Sequence, residues 1–286
     1  MTIPNVQSRL EIINLKTRTK RLVLADNSHL EAPNWSPDGT FLIVNRAGLL
    51  YRVPLQDAQL QLIDTDFATR CNNDHGISPD GKEIVLCSHD PVIPRSSRIY
   101  RMPIEGGTPQ CVTEAYPSYW HGWSPDGQYL TYVAGRATHS DLKIYRLALA
   151  TGVEEQLTFG PGQDDGPDYS ACGQFIYFNG FRQNKMQIWR IDANGDNPQQ
   201  LIHSPHSDWF PHPSPDGRHV IFIRYLKDQG EAHPFGQDVQ IMLHDLASGE
   251  TSPITEVFFG GQGSLNVPSW SPNSEEFAFV SYELLT

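Results

Sequence analysis

The 286-residue sequence contains four cysteines, Cys71, Cys87, Cys111 and Cys172, and no CxxC pair. That pattern excludes a disulfide-stapled small domain and the usual cysteine zinc sites, and free thiols are expected. Lysine and arginine form no cluster, and the net charge is -12. A nucleic-acid partner is therefore not expected, whereas cationic, neutral or metal-associated partners suit the balance. No apolar run approaches membrane-spanning length, so no membrane insertion is expected. The start, Met1-Thr2-Ile3-Pro4-Asn5, lacks a basic segment followed by an apolar one. Taken literally this reads as cytoplasmic, or as periplasmic if a leader was omitted. GxSxG, HExxH, GxxxxGK[ST], GxGxxG and the Trp-Asp dipeptide are all missing. Standard hydrolase, metalloprotease and nucleotide-binding signatures are thereby excluded, and no cofactor is expected.

What the sequence does have is a repeat. Ser-Pro-Asp-Gly begins at Ser36, Ser78, Ser124 and Ser214, and degenerate copies begin at Ser170 and Ser271. The intervals run from 42 to 57 residues. Proline presets φ for a tight turn, aspartate can bond its own backbone, and glycine accepts the left-handed conformation that follows. A β-rich stretch comes after each copy: Phe41–Val44, Ile84–Leu86, Tyr129–Val133, Phe175–Phe178, Val220–Ile223 and Phe277–Val280. Further on, an apolar residue, an aromatic and an arginine recur, as in Leu50-Tyr51-Arg52 and Ile188-Trp189-Arg190. Each unit thus reads as four short strands, A to D, in about 45 residues, the period of a propeller blade.

Six units predict an all-β, six-bladed β-propeller with four antiparallel strands per blade, expected as one domain over 1–286. The chain ends after strands A and B of the last unit. It begins with Leu10–Leu15 and Arg21–Leu24, which read as strands C and D. The N-terminal strands are therefore expected to complete the C-terminal blade and close the ring, removing an open sheet edge.

The Trp-Ser-Pro-Asp-Gly repeat and its aromatic-rich third strand resemble the TolB-like (WD40-like, PD40) β-propeller family across essentially the whole chain. Asn72–Gly76, Trp120–Trp123, Trp209–His212 and Gly260–Ser264 resemble an uncharacterised bacterial subgroup. The resemblance implies a binding or scaffold propeller. Envelope-system members carry a leader and an N-terminal α/β domain, and neither is expected here. Similar propellers occur in oligogalacturonate lyases, which use a histidine-held metal.

Blade topology sorts the loops. The A–B and C–D turns share one face, and the B–C loops and D–A crossings share the other. His29, His75, His121, His203, His206 and His212 read as D–A crossings, and His89, His139 and His233 as B–C loops. Only His219 and His244 read as strand residues. The same crossings hold Tyr119 and Asp164, and they supply most of the candidate ligand-binding set. That set is Asn73, Asp74, His75, Trp120, His121, Asp165, Asp168, Asp208, Trp209, His212, Gln262 and Asn266, with Arg136, Arg182 and His233 from adjoining loops. Imidazoles, carboxylates, amides and aromatic faces converging on a funnel suit a polar ligand or a metal. His75 and His121 equally suit packing between blades, and Trp120 and Trp209 suit either a sugar face or an interblade gap. Asp168 and His212 are one position out of step with His75 and His121, so a single metal site is not expected. The turn Asp192–Asp196 suits a C–D connection better than a calcium loop.

Two segments, Leu226–Asp238 and Glu256–Asn266, account for the long last interval, and the first reads as a flap over the funnel. The expectation is a non-catalytic binding or scaffold propeller holding a protein segment, glycan or small polar ligand. The alternatives are a metal-assisted carbohydrate-active enzyme like the lyases and a Tol-type envelope adaptor.

Overall fold

The computed structural model describes residues 5–93, 96–136 and 141–285. Every named element among them is a β-strand, and the strands form six antiparallel sheets. Blade 1 runs Leu30–Trp35, Phe41–Arg46, Leu49–Pro54 and Gln61–Leu62, strands A to D. Blades 2, 3 and 4 repeat this order, with strands A at Cys71–Ile77, Ser118–Trp123 and Asp164–Tyr169. Blade 5 starts at Ser207–Pro213. Strands A of neighbouring blades contact one another around the ring, so they line its centre.

The ring closes as expected. Val6–Asn14 pairs with Glu276–Leu284 over nine residues, from Val6 opposite Leu284 to Asn14 opposite Glu276. Lys20–Asp26 adds the outer strand. The innermost strand of this blade is reduced to a bridge between Trp270 and Phe277.

All six repeat serines act alike. Each hydroxyl accepts a backbone N–H from the residue five positions on, at 2.8–3.1 Å. In the four full copies the hydroxyl also donates to the aspartate at 2.5–2.7 Å. This bond holds the carboxyls of Asp38, Asp80 and Asp126 below their ordinary range. The degenerate copies keep the geometry, with Gly173 at φ 71° and Ser274 at φ 62°.

The recurrent arginine of strand C also has a physical role. Arg52, Arg146 and Arg190 lie over Phe41, Tyr129 and Phe175 at 4.5, 4.9 and 4.3 Å, a cation–π contact repeated in three blades. In blade 2 the aromatic is replaced by Glu83, and Arg101 approaches its carboxylate at 3.9 Å instead.

Strand A departs from regular alternation. In blades 1 to 5 its pairing register shifts about four residues before the serine. Ala32, Gly166 and Phe210 occupy this position in blades 1, 4 and 5 with φ of 55°, 60° and 53°. Such a bulge turns one extra side chain toward the axis. The two long segments meet each other rather than forming a free flap. Phe258–Gly260 pairs with Gln237–Val239, and Gly236 N–H donates to Gly260 O at 2.8 Å.

Candidate functional site

The bulges shape a cavity of about 290 Å³ at the mouth of the ring. Five residues stand five positions before their repeat serines in blades 2, 3, 4, 5 and 6: Asn73, Tyr119, Asp165, Trp209 and Asn266. Four of these line the cavity, together with Asn72, Asp74, His89, His121, Leu142, Phe210, His233 and Gln262. The exception, Trp209, is fully buried, and the His233 ring packs on it at 4.6 Å. The histidine from the long loop thus takes the sector that blade 5 would have supplied. Pro234 beside it is tied down by Tyr225, whose hydroxyl donates to the Pro234 carbonyl at 3.1 Å.

Asp165 is the hub. Its Oδ1 accepts from Gly166 N–H at 2.7 Å and meets His121 Nε2 at 3.1 Å, and its Oδ2 lies 3.6 Å from His233 Nε2. Burial opposes ionisation of both Asp165 and His121. Their mutual hydrogen bond and charge prevail, lowering the carboxyl and raising the imidazole. His233 is pushed down, first by burial. Asp74 has no such partner. Burial, with the Asp165 charge adding and His121 opposing, pushes its carboxyl up to about 7. Glu31, adjacent on blade 1, is pushed up to about 8 by burial and by Asp74.

Seven of the fifteen residues expected from sequence meet at this cavity: Asn73, Asp74, His121, Asp165, His233, Gln262 and Asn266. The other eight lie elsewhere. His75 is buried between blades 1 and 2, its Nε2 3.3 Å from Ile43 O, and burial pushes it down to about 4. His212 Nδ1 meets Asp168 Oδ2 at 3.0 Å and its Nε2 meets Leu265 O at 3.3 Å, a buried link across blades 4, 5 and 6. Asp208 holds Arg224 through two bonds of 2.7 and 2.9 Å. Arg182 is paired with Asp164 at 2.7 Å, and Arg136 with Glu154 at 2.5 Å. Trp120 and Trp209 fill interblade space.

One placement is corrected. Asn73, Asp74, His75, Tyr119, Trp120, His121, Asp164, Asp165, Asp168, Asp208, Trp209 and His212 belong to strands A, not to crossings. Proline and glycine at the bulges disguise these segments as loops. His139 lies outside the described residues.

Sequence reading missed Asn72, His89, Leu142 and Phe210 as lining residues, and Glu31 beside them. Alignment on the repeat serine would have found Glu31, which stands five positions before Ser36. Among the described residues, no group of three or more His, Cys, Asp or Glu is placed to hold a metal ion. No helix among them is long and apolar enough to cross a membrane.

Two buried carboxyls with raised pKa values have a measurable consequence. In the folded state Asp74 and Glu31 keep protons that the unfolded chain releases near pH 4. Their stabilising contribution is therefore complete below about pH 4 and is lost as pH rises through 7 to 8. Urea unfolding at pH 5 and 8.5 should show the wild type losing several kcal/mol, on the order of 5, more than an Asp74→Asn/Glu31→Gln variant. Identical losses in the two proteins would contradict these assignments.

Comparison with known proteins places the fold. The family model for the TolB beta propeller domain (PD40) matches residues 117–284. An uncharacterised protein of Agrobacterium fabrum is 47% identical over 279 residues, covering 97% of this chain and 93% of that protein. A solved structure from Agrobacterium tumefaciens, provisionally called TolB, superposes with a TM-score of 0.93 at 46% identity, covering 98% of this chain and 99% of the other. The Tol-Pal system protein TolB of Francisella tularensis is 26% identical over 71% of this chain, which spans 44% of that protein's length.

Proposed function

This chain belongs to the TolB β-propeller family, and we propose that it is a non-catalytic binding propeller whose polar ligand enters the mouth around Asp165. The family and fold support a binding or scaffold role in general. The observation that supports this particular mouth is Asn73. Its side chain lines the cavity, the residue is only 5% exposed, and its carboxamide makes no hydrogen bond. The amide is not sealed inside the protein but opens on the cavity, where it is free to bond an incoming group. A polar ligand at the mouth would supply partners to Asn73 and to the unengaged amide nitrogen of Asn266.

Stability and binding should consequently separate. Asn73→Leu is expected to leave the stability of the free protein within about 0.5 kcal/mol, because the amide has no bond within the protein to lose. Thermal unfolding in the presence of glycine, triglycine, ethanolamine or glucose should raise the wild-type midpoint for at least one compound. The same compound should have at least tenfold less effect on Asn73→Leu. A destabilised variant, or a panel without effect on the wild type, would refute the assignment.

A further inference from the structure

We propose that the mouth takes a compact polar ligand carrying a primary ammonium group; this deepens the binding role above and rests on it. The residues lining the cavity include two carboxylates, Asp74 and Asp165, and neither lysine nor arginine. His121 is committed to Asp165 through Nε2 at 3.1 Å. Asp74 has one oxygen occupied by Asn72 Nδ2 at 2.8 Å, and no basic side chain forms an ion pair with it among the described residues. Its other oxygen has no hydrogen-bond partner, and beside it the Asn73 carboxamide is also unpaired although both residues are 5% exposed.

Once ionised, Asp74 has no counter-charge bonded to it, and a ligand cation is the group that removes that cost. An anion would meet the Asp74 and Asp165 carboxyls, and the imidazole charge of His121 is already engaged by Asp165. A neutral polyol would pair the amides but leave Asp74 uncompensated. An ammonium offers three donors, which the free Asp74 oxygen and the Asn73 carbonyl can accept. The volume, about 290 Å³, lies at the small end of ligand pockets, so the ligand is a small molecule or one terminal residue of a longer one.

The same arrangement sets a pH dependence. Four titratable groups face Asp74 from the surrounding strands: Glu31 on blade 1, the buried Cys87 thiol on its own blade, His121 on blade 3 and Asp165 on blade 4. In the free protein Asp74 holds its proton up to about pH 7, and the ammonium displaces that proton. Affinity for an amine therefore rises with pH between about 6 and 8, approaching tenfold per unit on the acid side.

The test uses ethanolamine as the probe and ethylene glycol as its uncharged counterpart, by calorimetric titration of the full chain at pH 6 and pH 8. The expected result is at least tenfold tighter binding of ethanolamine than of ethylene glycol at pH 8, weakening at pH 6. Asp74→Asn should abolish the difference while leaving the unliganded melting temperature at pH 8 equal or higher. The wild-type pH comparison keeps the test decisive if that variant folds poorly. Equal binding of the two probes, or ethanolamine binding that Asp74→Asn leaves intact, overturns the ammonium assignment and leaves the mouth as a neutral-ligand site. Failure of ethanolamine to bind while glucose binds has the same meaning. Failure of ethanolamine, ethylene glycol, glycine, triglycine and glucose alike overturns the mouth as well.

Discussion

Gly76→Val is expected to lower the unfolding free energy by about 3 kcal/mol or more, among the largest effects of any single substitution in this chain. A Cβ at Gly76 would sit 2.0, 2.5 and 3.0 Å from three carbons of the Trp120 indole. That ring belongs to the next blade and is 1% exposed, so it has nowhere to turn. The requirement is steric, since Gly76 does not have a left-handed backbone. The pairing explains why blade 2 has glycine two residues before its serine where blades 4 and 5 have Asp168 and His212. It also identifies Trp120 as an interblade wedge. A double-mutant cycle measures this directly. Trp120→Leu opens space, so its cost should shrink when Gly76 is already valine, with a coupling of about 1–3 kcal/mol. Strict additivity in urea unfolding would show that the two residues do not press on each other.

Leu10→Asp should destabilise the protein to a similar or greater degree, about 4 kcal/mol, while Leu22→Asp costs a few tenths. Leu10 is fully buried in the strand that joins the two ends of the chain, opposite Val280 on one side and Leu24 on the other. Leu22 lies one strand further out and is 46% exposed. Both substitutions place the same charge on the same hairpin, so the contrast isolates the closure from general effects of the N-terminal segment. Loss of the seam leaves Glu276–Leu284 with an unpaired edge, which limited proteolysis should then cut first. Equal costs for the two substitutions, or cleavage that spares Glu276–Leu284, would mean that the ring does not depend on this shared blade.

The architecture was legible because its determinants are local and repeated. The Ser-Pro-Asp-Gly turn needs only four residues, and even Ser170-Ala171-Cys172-Gly173 keeps the serine bond that defines it. The terminal hairpin was legible from its distance to the first repeat serine. The site was half legible. Histidines and carboxylates before the serines announced polar chemistry, yet strict alternation misassigned which of them face the axis. The bulge inserts one residue into strand A, and its left-handed position is held by Ala32 and Phe210, residue types that give no turn signal. Hence His212 and Asp168 read as candidates and prove to be a buried couple, whereas Glu31 and Phe210 passed unnoticed. The position of His233 was expected as part of a flap. Its packing on Trp209 and Phe210 depends on pairing between Phe258–Gly260 and Gln237–Val239, a contact between separate insertions that no local pattern encodes.

Bulged inner strands build a polar mouth around Asp74 and Asp165, and the ammonium-binding role proposed for this protein stands or falls with a cation entering it. Electron density from crystals soaked in ethanolamine at pH 8 tests it most directly. The ammonium nitrogen is expected about 3 Å from the free Asp74 oxygen, with the Asn73 carboxamide completing its contacts. Ethanolamine seated elsewhere on the propeller, with only water at the mouth, would contradict it.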